Sequence, residues 1–238
     1  MKALILSDIH SNIHALESIW AVEGDSDIVY ATGDLVDYGP QPREVLDWVR
    51  AHAVICTQGN HDSWLAHHFR GGNFLENVAP AERCWVHHNA SLLDEEDITF
   101  LESLPKTLDF ELDGIAYGLT HLYQDYEEIT SLHAYAAFQR RSFTGNGHPG
   151  FSRLILGHTH RQAVRYLSDT ILWLNPGSVS YRRADDPDQS AHYATILDEV
   201  IFLKRLPYDL RPVQGAIQGI RLKESENQVV EGFFGPRP

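Results

Sequence analysis

The sequence predicts an α/β protein, and three observations carry that expectation. Short apolar runs alternate with helically spaced segments through the first sixty residues. Each of those runs leads directly into a polar loop bearing Gly or Asp: SDIHSN, TGDLVDYGPQ and TQGNHD. The later half changes to short strands joined by close turns such as LDG and LSD. Alternating strands and helices imply parallel pairing, and ligands of such sheets gather at the carboxyl ends of the strands.

Residues 2–6 form a short apolar run that reads, by its length, as a buried strand. Ile13, Leu16, Ile19, Trp20 and Ala21 then recur at helical spacing across residues 12–22. A second strand is expected over 27–31, a second helix over 43–51 and a third strand over 53–56. Residues 62–104 read mainly as helix and are rich in aromatics, among them Trp64, Phe69, Phe74, Trp85 and Phe100. Strands are expected over 108–112, 115–119, 153–156, 164–167, 170–174, 193–197 and 200–206. Between two of them lies a roughly helical insert over 124–148, ending in the loop GNGHPG. A helix over 213–221 precedes an irregular tail, FFGPRP. No shift in composition marks a boundary. The chain therefore reads as a single domain, residues 1–238, with helical cap inserts over approximately 63–105 and 123–150.

The 238 residues carry 19 Lys and Arg against 33 Asp and Glu, a net charge of −14, together with 14 histidines. This balance excludes a protein that grips nucleic acid or an anionic membrane through bulk positive charge. It leaves open an enzyme acting on a phosphate ester, because bound metal ions reverse the local field. Cys56 and Cys84 form neither a CxxC pair nor a disulfide framework, which points to a reduced, cytoplasmic compartment. The longest apolar run is five residues, 134–138, so no membrane span is expected. Asp8, directly behind the first apolar run, argues against a secretory signal.

Five loops hold metal-type side chains, each behind an expected strand. Asp8 and His10 follow the first, Asp34 and Asp37 the second, and Asn60, His61 and Asp62 the third. His121 follows 115–119, and His158 and His160 follow 153–156 in GHTH. Carboxylate and amide oxygens mixed with imidazole nitrogens suit divalent first-row metals better than Mg²⁺ or Ca²⁺. Gly33, Gly59 and Gly157 each precede such a residue, where the missing side chain lets the backbone turn sharply. A DxH triplet alone, or GHTH alone, fits an ordinary capping or loop role. The ordered set is far more specific.

As a set, SDIHSN, GDLVDYG, GNHD, the isolated His121 and GHTH resemble the signature blocks of the calcineurin-like metallophosphoesterase superfamily. NPGSV, residues 175–179, is further similar to its bacterial small-phosphodiesterase branch. The resemblance spans Asp8 to Val179. It implies a four-layer αββα sandwich with the metals at the strand ends. It also implies that Asp8, His10, Asp34 and His160 hold a first metal, with Asp34 bridging to a second held by Asn60, His121 and His158. By the same resemblance His61 is the catalytic histidine and Asp37 the aspartate that orients it. The implied activity is a dinuclear metal-dependent phosphoesterase, a phosphodiesterase on small nucleotide-like phosphate esters, with cyclic nucleotides and diadenosine polyphosphates as the classes the resemblance favours and hydroxide held between the metals as nucleophile. Mn²⁺ suits the ligand mix, and Fe, Zn, Co or Ni also fit. Leu122 stands where the family usually has glycine. Tyr38 and Gln58 stand where the phosphoprotein phosphatases of the family carry phosphate-gripping arginines, which lowers that reading.

Two alternatives stay open here: a phosphomonoesterase or phosphoprotein phosphatase, and a non-catalytic metal-binding scaffold. The presence of His61 argues against the scaffold. Candidate substrate contacts are Arg161, Arg183, His67 and Tyr123, with Trp64 and Tyr126 as further rings able to stack a nucleobase. Each also fits an ordinary surface or cap role. No stable nucleic-acid or membrane partner is expected.

Overall fold

The computed structural model describes residues 1–73, 76, 85–124, 126–143, 150–180, 188–222 and 234. Cys84, Arg183 and most of the loop GNGHPG lie outside them. The first half builds β1 (Lys2–Leu6), α1 (Ile13–Glu23), β2 (Ile28–Ala31), α2 (Pro42–Ala51), β3 (Ile55–Cys56) and α3 (Asn60–Phe69). Next come α4 (Val86–Leu92), α5 (Glu95–Ser103), β4 (Thr107–Leu112), β5 (Ile115–Thr120) and α6 (Leu132–Ser142). The rest comprises β6 (Arg153–Ile155), β7 (Ala163–Tyr166), β8 (Leu172–Asn175), β9 (Ala191–Leu197), β10 (Val200–Leu206) and α7 (Arg211–Gln218).

Two five-stranded sheets result, in the orders β10-β9-β1-β2-β3 and β4-β5-β6-β8-β7. Both are mixed. β1-β2-β3 and β5-β6-β8 run parallel, while β9-β10, β4 and β7 pair antiparallel. The period-2 alternation of strand side chains explains the layering. In β1, Ala3 and Ile5 join a core between the sheets that also takes Tyr117, Leu119, Ile155 and Leu174 from the second sheet. Leu4 and Leu6 point the other way, into a core under α1 and α2 with Leu16, Ile19, Val45 and Leu46. Trp173 and Leu154 face outward from the second sheet onto Tyr135 and Phe138 of α6. Helix, sheet, sheet, helix is the outcome, and strands buried on both faces must be apolar throughout.

Differences from the expected boundaries have local causes. α2 begins at Pro42 and α7 carries Pro212 in its first turn, where a ring with fixed φ and no N–H fits the helix start. The expected helical stretch 62–104 divides into α3, α4 and α5, and α3 begins at Asn60. Its start is fixed by Asp62, whose carboxylate accepts the Gly59 N–H at 2.9 Å. Among the described residues, no helix is long and apolar enough to cross a membrane.

Candidate metal centre

All the ligand-type side chains lie at carboxyl ends of strands, and their loops are stitched to one another by backbone bonds. Asp8 N donates to Gly33 O (3.1 Å), His10 N to Asp34 O (3.0 Å) and Ser11 N to Leu35 O (3.0 Å), joining the loops after β1 and β2. Gly157 N donates to His121 O at 2.9 Å, joining those after β5 and β6. The turns are tight. Asp8, His10, Asp34, Asp37, His158 and His160 all have φ between 47° and 74°, a region costly for residues with a Cβ. Gly33 has φ +100°, and a Cβ there would run into the backbone of Gly59. A Cβ on Gly59 would in turn strike the Asp34 carboxylate, so both glycines are required by close approach.

Two groups of donor atoms converge. The donors of Asp8, His10 and His160 lie within 4.8 Å of one another, as do those of Asp34, His121 and His158. Asp34 stands between the groups, with Oδ2 3.1 Å from His121 Nε2 and 4.0 Å from His10 Nε2. Asn60 Oδ1 joins the second group, 2.9 Å from His121 Nε2 and 3.0 Å from His158 Nδ1. His160 Nε2 lies 3.0 Å from Asp8 Oδ1 and 3.4 Å from His10 Nε2.

This donor set fits divalent cations. The His121 Nδ1 proton is given to the Thr32 carbonyl at 3.0 Å, which turns Nε2 toward the oxygens of Asp34 and Asn60. Burial lowers the affinity of that ring for a second proton, but Asp34 outweighs it and pushes the pKa up to about 9. A cation would take the place of that proton. Burial holds His10 down at about 3 and also lowers His158, which favours in both the neutral ring that a metal ligand must present. Burial raises and His160 lowers Asp8, leaving it at about 2, and Asp34 is likewise held below the usual carboxylate range. Depressed carboxylates facing the rings of His10 and His158, with a His121 proton that a cation would displace, are an arrangement that suits a cation.

Beside these groups, His61 Nδ1 lies 2.9 Å from Asp37 Oδ2, with Asp37 fully buried. A carboxylate can only accept, so Nδ1 is the donor and Nε2 is the free end of the ring. Burial disfavours the charged imidazole, yet Asp34 and Asp37 prevail and raise its pKa. Tyr38 and Trp64 hold the ring at centroid distances of 4.6 and 4.8 Å.

Two further residues shape the site. Asp62, grouped by sequence with the metal-type side chains of its loop, is directed instead at backbone. It accepts from Asp34 N (3.0 Å), Leu35 N (2.8 Å), Val36 N (3.2 Å) and Gly59 N (2.9 Å). Burial, and then Asp34, push it up to about 6. Asn89 of α4 accepts from Asp37 N (2.9 Å) and Ser11 Oγ (2.6 Å) and donates to Gly39 O (2.9 Å). No motif marks it, since it lies 52 residues from Asp37 in a stretch without ligand-type spacing. Asn175 of NPGSV supports the last loop, donating to Gly157 O at 2.7 Å.

The candidate substrate contacts scatter. Tyr123 lines a cleft of ≈ 480 Å³ beside Asn60 and His121, whereas Arg161 and His67 are exposed and do not line it. Arg183 lies outside the described residues. Leu122, the departure from the family's glycine, faces the same cleft.

Comparison with known proteins agrees with this architecture. Residues 1–198 match the family described as the calcineurin-like phosphoesterase superfamily domain. The chain is 26% identical to the uncharacterized protein MJ0912 of Methanocaldococcus jannaschii, over 92% of its own length and 93% of that protein's. A metallophosphoesterase from Sphaerobacter thermophilus superposes with a TM-score of 0.70 at 25% identity, covering 99% of this chain and 100% of that one. A shorter stretch of 70 residues is 39% identical to a symmetrical bis(5'-nucleosyl)-tetraphosphatase of Erwinia tasmaniensis, 27% of this chain and 26% of that protein.

Proposed function

The chain belongs to the calcineurin-like phosphoesterase superfamily, and from that premise we propose that it is a dinuclear metal-dependent phosphodiesterase acting on small nucleotide-like phosphate esters. The observation that carries the reading is the His61–Asp37 pair set against two convergent His/Asp groups that share Asp34. Asp8, His10, Asp34 and His160 would hold one cation, and Asp34, Asn60, His121 and His158 the other. Bound cations supply neutralisation of the phosphate oxygens and an acidified water. The chain's own residues do the rest. His61, oriented through Nδ1 by Asp37, presents Nε2 to the leaving-group oxygen and gives it a proton, a contribution of roughly 10²–10⁴-fold. Its raised pKa keeps that proton available. Asn60 contributes a neutral oxygen, which leaves net positive charge for the phosphate. Mn²⁺ suits the mixed donor set, and a reducing, cytoplasmic setting suits a chain whose Cys56 is buried and unpaired.

Support for a diester over a phosphoprotein comes from Tyr38 and Gln58. Tyr38 packs its ring on His61, and Gln58 spends its amide on Leu101 O at 2.8 Å, so neither position offers a charge to a dianionic monoester. The local likeness to a tetraphosphatase that acts on bis(5'-nucleosyl) compounds supports the nucleotide class. The test is turnover of bis(p-nitrophenyl) phosphate against p-nitrophenyl phosphate by metal-reconstituted protein. The diester is expected to have the higher kcat/KM. A strong preference for the monoester would sink the proposal.

A further inference from the structure

The ≈ 480 Å³ cleft opens beside Asn60 and His121, and its size lies within the range of small-molecule sites. Its charge is unlike that of the rest of the chain. Among the described residues no Asp or Glu lines it, in a sequence with 33 of them, whereas Lys106 and Arg141 both do. Lys106 stands on the turn before β4, where its carbonyl is held by Thr120 Oγ1 at 3.0 Å. Arg141 sits in the last turn of α6, its guanidinium 5.7 Å from the Phe138 ring centroid. Besides Phe138, two flat rings line the cleft. Trp64 reaches it from α3 while packed on His61 at 4.8 Å, and Tyr123 stands edge-on to Phe138 at 5.0 Å.

A hydrophobic cleft would need no cations, and a purely electrostatic one would need no rings. The combination recognises a planar aromatic group with negative charge beyond it, because bases stack on aromatic side chains and guanidinium and ammonium groups hold phosphate. Resting on the proposed function, we propose that this cleft is the subsite for the part of the substrate beyond the reacting phosphate. We infer that this part is a nucleotide carrying at least one additional phosphate. The base lies between Trp64 and Tyr123, and the additional phosphate meets Lys106 and Arg141. Dinucleoside polyphosphates have this chemistry; cyclic mononucleotides, with a single phosphate, do not.

The test is calorimetric binding to the metal-reconstituted full chain, with ADP, AMP and inorganic pyrophosphate as probes. ADP is expected to bind at least tenfold more tightly than either AMP or pyrophosphate. Lys106→Gln combined with Arg141→Gln should bring ADP down to the affinity of AMP. Both side chains are exposed, and near-UV circular dichroism of the variant checks that its packing is retained. Equal affinity for ADP and AMP, or a gap that survives the double substitution, would overturn the additional-phosphate contact. Pyrophosphate binding as tightly as ADP would overturn the base contact. Failure here and failure of the proposed function are separable. Diester hydrolysis without the ADP–AMP gap removes the cleft assignment alone, and the gap without hydrolysis removes the catalytic assignment alone.

Discussion

At the scale of single residues, the site depends on side chains that bind backbone as much as on those that converge as candidate metal donors. Asp37 occupies a left-handed conformation (φ 74°), followed by Tyr38 in another (φ 56°). Something must hold that strained pair so that Oδ2 meets His61. Asn89 does this, taking the Asp37 N–H and anchoring Gly39 O on the far side of the bend. Asn89→Ala should therefore lower kcat by about 10²-fold, the cost of a catalytic group displaced by about 1 Å, with KM and metal content nearly unchanged. Steady-state kinetics beside elemental analysis checks this, and an unchanged kcat would remove Asn89 from the account. Asn89 was not legible in the sequence. VHHNASL has no ligand spacing, and its role exists only because α4 returns to the loop after β2. The converging side chains could be picked out because metal-type donors are restricted to a few side-chain types, here immediately behind apolar runs.

Elements repeat the contrast. β1 and β2 could be read from sequence because strands covered on both faces have no polar option. β3 is only two residues long, and the helical region after it has its breaks set by capping rather than by periodicity. One ionic cluster ties the first sheet to its helix. Glu23, at the end of α1 and 4% exposed, accepts from Tyr193 OH and Lys204 Nζ, each at 2.8 Å, and pairs with Lys2 Nζ at 2.9 Å. Burial raises its pKa, but the bonds from Lys2, Lys204 and Tyr193 prevail and leave it below the ordinary glutamate value of 4.5. A carboxylate depressed on folding stabilises fully above that value, and the contribution is lost as the pH falls through the lower folded one. Glu23→Gln should thus lower Tm at pH 7 and flatten the acid dependence of Tm below about pH 4.5. Thermal unfolding across pH measures both, and a variant with the parent's acid limb would contradict the assignment.

At the scale of the whole molecule, a net charge of −14 is compatible with the proposed phosphate substrate only if positive charge gathers locally at the site. Convergent carboxylates and imidazoles form two candidate cation sites, and among the described residues the adjoining cleft carries Lys106 and Arg141 without a carboxylate. Sequence order points to the first of these, since each of the converging side chains follows an expected strand. It could not foretell the second, because Lys106 and Arg141 come from the turn before β4 and from α6 and meet only through the packing of the second sheet. The catalytic proposal rests on the separation of roles between His61 and the residues proposed to hold metal. Measuring metal per chain and diester turnover together in His61→Ala tests it most directly. Two metals retained with turnover reduced at least about a hundredfold is the expected result. Turnover near that of the unsubstituted chain would contradict the account, as would loss of metal from the variant.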